Sequence, residues 1–188
     1  MDALMAALVA AALAQVGDRT AWLAAILSDR LRRPGLVIAM AALAILAASS
    51  VAAALGMVIG PKLAPNARQL LLALALLLQG GGAFFPAKMP ERLDRWQIGA
   101  VATAFLGLFI LAFGDGLQFI ALALAARSPI PALAAIGVTL GSLVVIVPAA
   151  VMGETAWRRL PLKPLRIAIG ALFLITGIVL ALGALRLV

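Results

Sequence analysis

Gln15-Val16-Gly17-Asp18-Arg19-Thr20 sets an amide, two opposite charges and a hydroxyl inside an apolar run that extends from 3 to 27. Further along, Ala112-Phe113-Gly114-Asp115-Gly116-Leu117-Gln118 places a second aspartate inside the run 97–126. The two stretches register at an offset of 97, which sets Gly17-Asp18 on Gly114-Asp115. The same offset sets Arg30 on Arg127, Pro34 on Pro131, Leu36 on Leu133 and Gly56 on Gly153, without a gap. Each match is weak alone; together they align two polar motifs and two loops.

Working outward, the remaining apolar runs are 35–60, 67–86, 130–152 and 165–185. Each run meets the roughly 20 residues that a helix needs to cross a bilayer, and helices satisfy their own backbone there. The fourth run is long and carries Gly107, Gly114 and Gly116, which predicts a tilt, a kink or a break. Six runs give three per half. An odd number makes the second half enter from the opposite side, so the pattern predicts an all-α integral membrane protein of six transmembrane helices in a 3+3 inverted-topology repeat. Repeat one covers about 1–86, a cytoplasmic linker about 87–96 and repeat two about 97–188, in one domain.

Composition agrees. Of 188 residues, 65% are hydrophobic, against about 45–50% in soluble domains, and mean hydropathy is +1.18. A soluble enzyme is excluded. With no Cys and no His, disulfides, thiol chemistry, Cys/His zinc sites and an imidazole base are excluded too. The net charge of +8 marks topology rather than nucleic-acid binding. The loops after runs one, three and five carry Arg30, Arg32, Arg33, Lys88, Arg92, Arg95, Arg158, Arg159, Lys163 and Arg166, whereas the other side carries Lys62, Arg68, Arg127 and Arg186. The bias puts the first set in the cytoplasm and both termini outside, in a bacterial-type inner membrane. Ala12-Leu13-Ala14 before Gln15 looks like a cleavage site, but no basic residue precedes the apolar run, so the first run is expected to remain as a span.

Asp18, Arg19 and Asp115 are the ionisable residues deep inside the runs. A charge at the bilayer centre costs about 2.5–3.5 kcal/mol on insertion scales, and such residues line pathways or pair with one another. An inverted repeat brings the two Gly-Asp pairs face to face at the midplane. Two carboxylates, with Gly17 and Gly114 admitting backbone carbonyls, form a hard-cation site. Gln15 and Gln118 can add neutral oxygens, and Thr20 a hydroxyl. Ser49, Ser50, Thr139 and Ser142 read as helix-packing groups, as do the GxxxG pairs Gly56/Gly60 and Gly137/Gly141. The competing reading is architectural, with Arg19 neutralising the aspartates and tying helices together.

Residues 15–20 resemble the signature E-φ-G-D-[KR]-[TS] of the Gdt-type cation transporters, formerly uncharacterised protein family sixteen, in the lysine-exporter superfamily. The second motif, residues 112–118, is similar, as are 119–127 and the stretch from Val147-Pro148 to Gly153-Glu154. The resemblance covers essentially the whole chain. It implies export of Mn²⁺ or Ca²⁺ as substrate, in exchange for protons, with no cofactor and no enzymatic activity, and it leaves a homodimer open. It also implies a metal site at Asp18 and Asp115, assisted by Gln15 and Gln118, with Gly17, Arg19, Thr20 and Gly114 on the transport path.

The departures are specific. The acid that opens each family motif is replaced by Gln15 and by Ala112, and the second motif's basic and hydroxyl positions hold Gly116 and Leu117. Two aspartates offset by Arg19 leave a local formal charge of about −1, against about −2 for four acids and two bases; fewer anionic oxygens weaken a divalent site. Two alternatives follow: the same fold exporting a small organic solute with Arg19 facing its anionic group, and a non-transporting paralogue held by a direct Asp18–Arg19–Asp115 network.

Overall fold

The computed structural model describes residues 2–86 and 88–186. Ala87, in the expected linker, and the terminal Met1, Leu187 and Val188 lie outside the described residues. The described chain is helical: α1 (Asp2–Ala14), α2 (Arg19–Leu31), α3 (Pro34–Ile59), α4 (Pro65–Gly82), α5 (Ala100–Phe113), α6 (Leu117–Arg127), α7 (Ala132–Trp157) and α8 (Leu162–Ala184). Prolines start α3 and α4 in the first turn, where a missing N–H costs nothing.

The first apolar run is not the continuous helix expected. It breaks between α1 and α2 with a bend of 67°, and the glycine-bearing fourth run breaks between α5 and α6 with a bend of 68°. Both breaks fall on the Gly-Asp pairs. Gly17 adopts φ 73°, a left-handed conformation that costs glycine nothing. Asp18 then starts α2 as its N-cap, its Oδ2 accepting from the Thr20 backbone N–H at 2.8 Å. At the second break the Gly114 N–H reaches back to Ile110 and the Asp115 N–H to Ala112, both at 3.3 Å.

Helices α3, α7 and α8 are each long and apolar enough to cross a membrane, and each bent pair is so when taken as one span. That makes up to five candidate spans among the described residues, one fewer than the sequence predicts. The remaining run is α4, an 18-residue helix carrying Arg68, Gln69 and Gln79. Val144, Val151, Ile175 and Val179 are each more than 60% exposed, as side chains in contact with lipid would be.

The packing exchanges the two halves. α1 and α2 lie on α7, while α5 and α6 lie on α3, and α4 pairs with α8. Small residues let these backbones approach. A β-carbon on Gly137 or Gly141 would collide with the Leu4 or Leu8 carbonyl of α1, and one on Gly56 or Gly60 with the Leu122 or Ala126 carbonyl of α6. Gly80, Gly170 and Gly177 do the same between α4 and α8. Without a hydrophobic force between helices in lipid, such close van der Waals contact is what holds them. Thr139 bonds its own i−4 carbonyl, at Ala135, at 2.8 Å.

The charged loops on one end are tied together. Arg30, at the end of α2, donates to the carbonyls of Leu93 at 2.7 Å and Arg92 at 3.2 Å, and its Nε lies 3.6 Å from Asp94. Arg92 in turn pairs with Glu154 at 2.7 Å. The segment 88–96 is thereby fastened to the ends of both α2 and α7.

Candidate functional site

A cavity of about 410 Å³ lies where the two breaks meet α4 and α8. Asp18 and Arg19 reach it from the first break and Asp115 and Gly116 from the second. α4 contributes Leu78, Gln79 and Gly82; α8 contributes Arg166, Ile169, Gly170 and Phe173; Lys88 closes the rim from the linker. Asp18 and Asp115 are half-buried, whereas Arg19 and Lys88 are exposed.

The local geometry explains why these groups converge. A break inside each bent pair points the new helix's N-terminal end at the centre, and the residue capping it comes along. α2 is capped by its Asp18 side chain, whereas α6 has no side-chain cap at Gly116. The positive end of each helix dipole therefore faces the cavity. Gly116 also makes room for α4, since a β-carbon there would collide with Gln79 Oε1. Gly17 is packed against the Arg166 side chain and the Leu162 carbonyl.

Among the described residues no ion pair within 4.0 Å involves Arg19, Asp18 or Asp115. The direct network expected of a purely architectural paralogue is thus not seen among the described residues; the three groups line a cavity instead. No cluster of three or more His, Cys, Asp or Glu is present among the described residues, so the acidic donors at the cavity are the two aspartates.

The expected amide ligands stand behind the wall. Gln15 is 2% exposed and donates from Nε2 to Ser142 Oγ at 3.4 Å, and its Oε1 has no partner. Gln118 is buried with an unpartnered Oε1, and Thr20 with an unpartnered Oγ1. None of the three lines the cavity, and neither does Gly114; Gly17 lines a neighbouring one of about 430 Å³. That second cavity shares Arg166, Ala83, Phe85 and Pro86 with the first, and it runs on to Leu160 and Lys163. The site is thus connected toward the end of the bundle that carries the charged loops.

Sequence reading missed Gln79, Lys88 and Arg166 as site residues. Gln79 had a signal, being the polar residue that interrupts the apolar stretch before Gly80-Gly81-Gly82. Lys88 and Arg166 carried none beyond their loop positions, which marked them only as topology determinants.

Two kinked helix pairs each bring an aspartate to one cavity inside an apolar helical bundle, an arrangement that suits a membrane transporter. Comparison with known proteins gives the family. The profile of "Divalent cation/proton antiporter GDT1" matches residues 3–91 and 100–187, two segments that begin 97 residues apart. The chain is also 30% identical over 182 residues to the "Putative manganese exporter" of Vibrio cholerae serotype O1, covering 96% of this chain and 91% of that protein. No solved structure matches. The chain belongs to the GDT1 divalent cation/proton antiporter family.

Proposed function

We propose that the chain exports divalent cations, Mn²⁺ foremost, in exchange for protons across a bacterial-type inner membrane. Asp18 and Asp115 hold the ion, and the same two carboxylates, the titratable acids at the cavity, take up the returning protons. The observation that carries this reading is that both Gly-Asp breaks open on a single cavity. Family membership supports the reaction class, and the relative named as a manganese exporter supports the choice of ion.

In this reading α4 completes six spans, and repeat one (about 1–86) and repeat two (about 97–188) form an inverted pair with both termini outside. Alternating access comes from rocking one three-span unit against the other about the fixed site. The cavity's continuation toward Lys163 then corresponds to access from the cytoplasm. Gln15, Gln118 and Thr20, each with a buried unpartnered oxygen, turn toward the ion only in another state of that cycle. Arg19 balances the empty site.

One observation favours a second reading with the same fold: Arg19 is exposed at a cavity of about 410 Å³ and is not ion-paired, as suits an organic anion. Flux of Mn²⁺ and Ca²⁺ into proteoliposomes under an imposed pH gradient separates the two. The proposal expects gradient-dependent flux that falls by about tenfold or more in Asp18→Asn and in Asp115→Asn. No flux from folded protein at millimolar ion overturns it.

A further inference from the structure

We propose that the cavity takes an oxyanion of the phosphate type together with the divalent cation, held by Arg19, Lys88 and Arg166 beside the metal at Asp18 and Asp115. This deepens the reading of the cavity as the cation site and rests on it.

Charge balance leads to the inference. The cavity wall carries three cationic side chains and two carboxylates. A lone divalent cation added to that set leaves a formal excess of three positive charges around one cavity, and a cleft lined by one sign of charge concentrates counter-ions of the other. A doubly charged oxyanion lowers the excess to one.

The three cations are also available. Among the described residues the ion pairs are Arg30–Asp94 and Arg92–Glu154, both away from this cavity. Arg166 spends one donor on the Gly82 carbonyl at 3.0 Å, and a guanidinium has five. Arginine forks match the oxygens of phosphate in bidentate fashion. The N-terminal ends of α2 and α6, the second lacking a side-chain cap, add positive potential at the cavity. Its volume of about 410 Å³ lies in the range of about 300–1,000 Å³ seen for small-molecule sites, well beyond what one desolvated metal ion fills.

The same chemistry is offered by free phosphate and by a phospholipid headgroup, because the adjoining cavity is lined by Phe84, Phe85, Lys163 and Arg166. The test uses the full chain in nanodiscs of phosphatidylcholine, titrated with radiolabelled inorganic phosphate with and without Mn²⁺ kept below precipitation, while Mn²⁺ binding is measured in parallel. Expected is saturable phosphate binding, tightened about tenfold by Mn²⁺, with phosphate tightening Mn²⁺ by the same factor as linkage requires. Arg166→Gln weakens phosphate binding about tenfold. So does Lys88→Gln, whose exposed position spares the fold. Discs containing phosphatidylglycerol identify the source: competition with phosphate assigns the site to a headgroup as well, and no competition assigns it to the free anion.

A chain that binds Mn²⁺ but shows no saturable phosphate binding in phosphatidylcholine, and no phosphatidylglycerol binding sensitive to Arg166→Gln, overturns this inference alone. Phosphate binding that both substitutions leave unchanged overturns it too. Phosphate binding sensitive to Arg166→Gln without any Mn²⁺ binding keeps the anion site and overturns the cation reading instead.

Discussion

The Gln79 side-chain oxygen occupies the space that a β-carbon on Gly116 would need. The contact joins α4 to the second helix break at the cavity wall, so an element outside both Gly-Asp motifs sets the shape of the site.

Gly116→Ala therefore separates function from folding. Its obstacle is the far end of a flexible side chain, which can swing away at little cost. Thermal unfolding in detergent is expected to shift little, while Mn²⁺ flux drops as Gln79 is pushed off the wall. Gly141→Ala meets the Leu8 backbone carbonyl instead, which cannot swing away. Overpacking of that kind costs about 1–3 kcal/mol, so Gly141→Ala is expected to lower the unfolding temperature clearly. Equal shifts in the two variants would contradict this assignment.

At the charged-loop end of the bundle, Asp29 Oδ2 accepts the Glu154 backbone N–H at 2.7 Å, beside Gly153 at φ 74°. The carboxylate caps the helix restarting after the kink. Asp29→Ala is expected to cost about 1 kcal/mol, the usual value of a cap. Gly153→Ala is expected to cost more, since φ 74° with ψ 174° is a glycine-only backbone region that strains other residues by about 1–3 kcal/mol, and it pushes a β-carbon into the Asp29 carboxylate. Unfolding midpoints of the two variants, measured against the parent chain, check the order.

Six spans with outward termini are testable because the native sequence has no cysteine. Single substitutions Lys62→Cys and Arg158→Cys place one thiol on each predicted side. A membrane-impermeant maleimide applied to intact spheroplasts is expected to label Lys62→Cys and to spare Arg158→Cys until the membrane is opened. The reverse pattern would invert the topology, and labelling of both would remove α4 as a span.

Much of this architecture was legible in the sequence, for identifiable reasons. Apolar runs and punctuating prolines located the helices, and Gly114 with Gly116 announced the second break. The first break was not read, because a lone glycine is tolerated inside a helix and an aspartate inside an apolar run reads first as an intramembrane charge. Asp18 is in fact also an N-cap, a role the sequence Asp18-Arg19-Thr20 ahead of an apolar stretch permits. The cavity's basic rim stayed hidden for a different reason. Whether Lys88 or Arg166 folds back over a site depends on how α4 and α8 cross it, which local pattern does not encode. Gln15 and Gln118 follow the opposite logic: their spacing from the aspartates put them on the right helix face, but the bends turned that face away from the cavity.

The central claim is that Asp18 and Asp115, on separate helix breaks, make one ion site. Electron paramagnetic resonance of Mn²⁺ titrated into the purified chain counts bound ions directly. The account predicts about one Mn²⁺ per chain, with affinity falling about tenfold or more in Asp18→Asn and again in Asp115→Asn, because each removes one of two anionic ligands. Binding that survives either substitution at full affinity would contradict it.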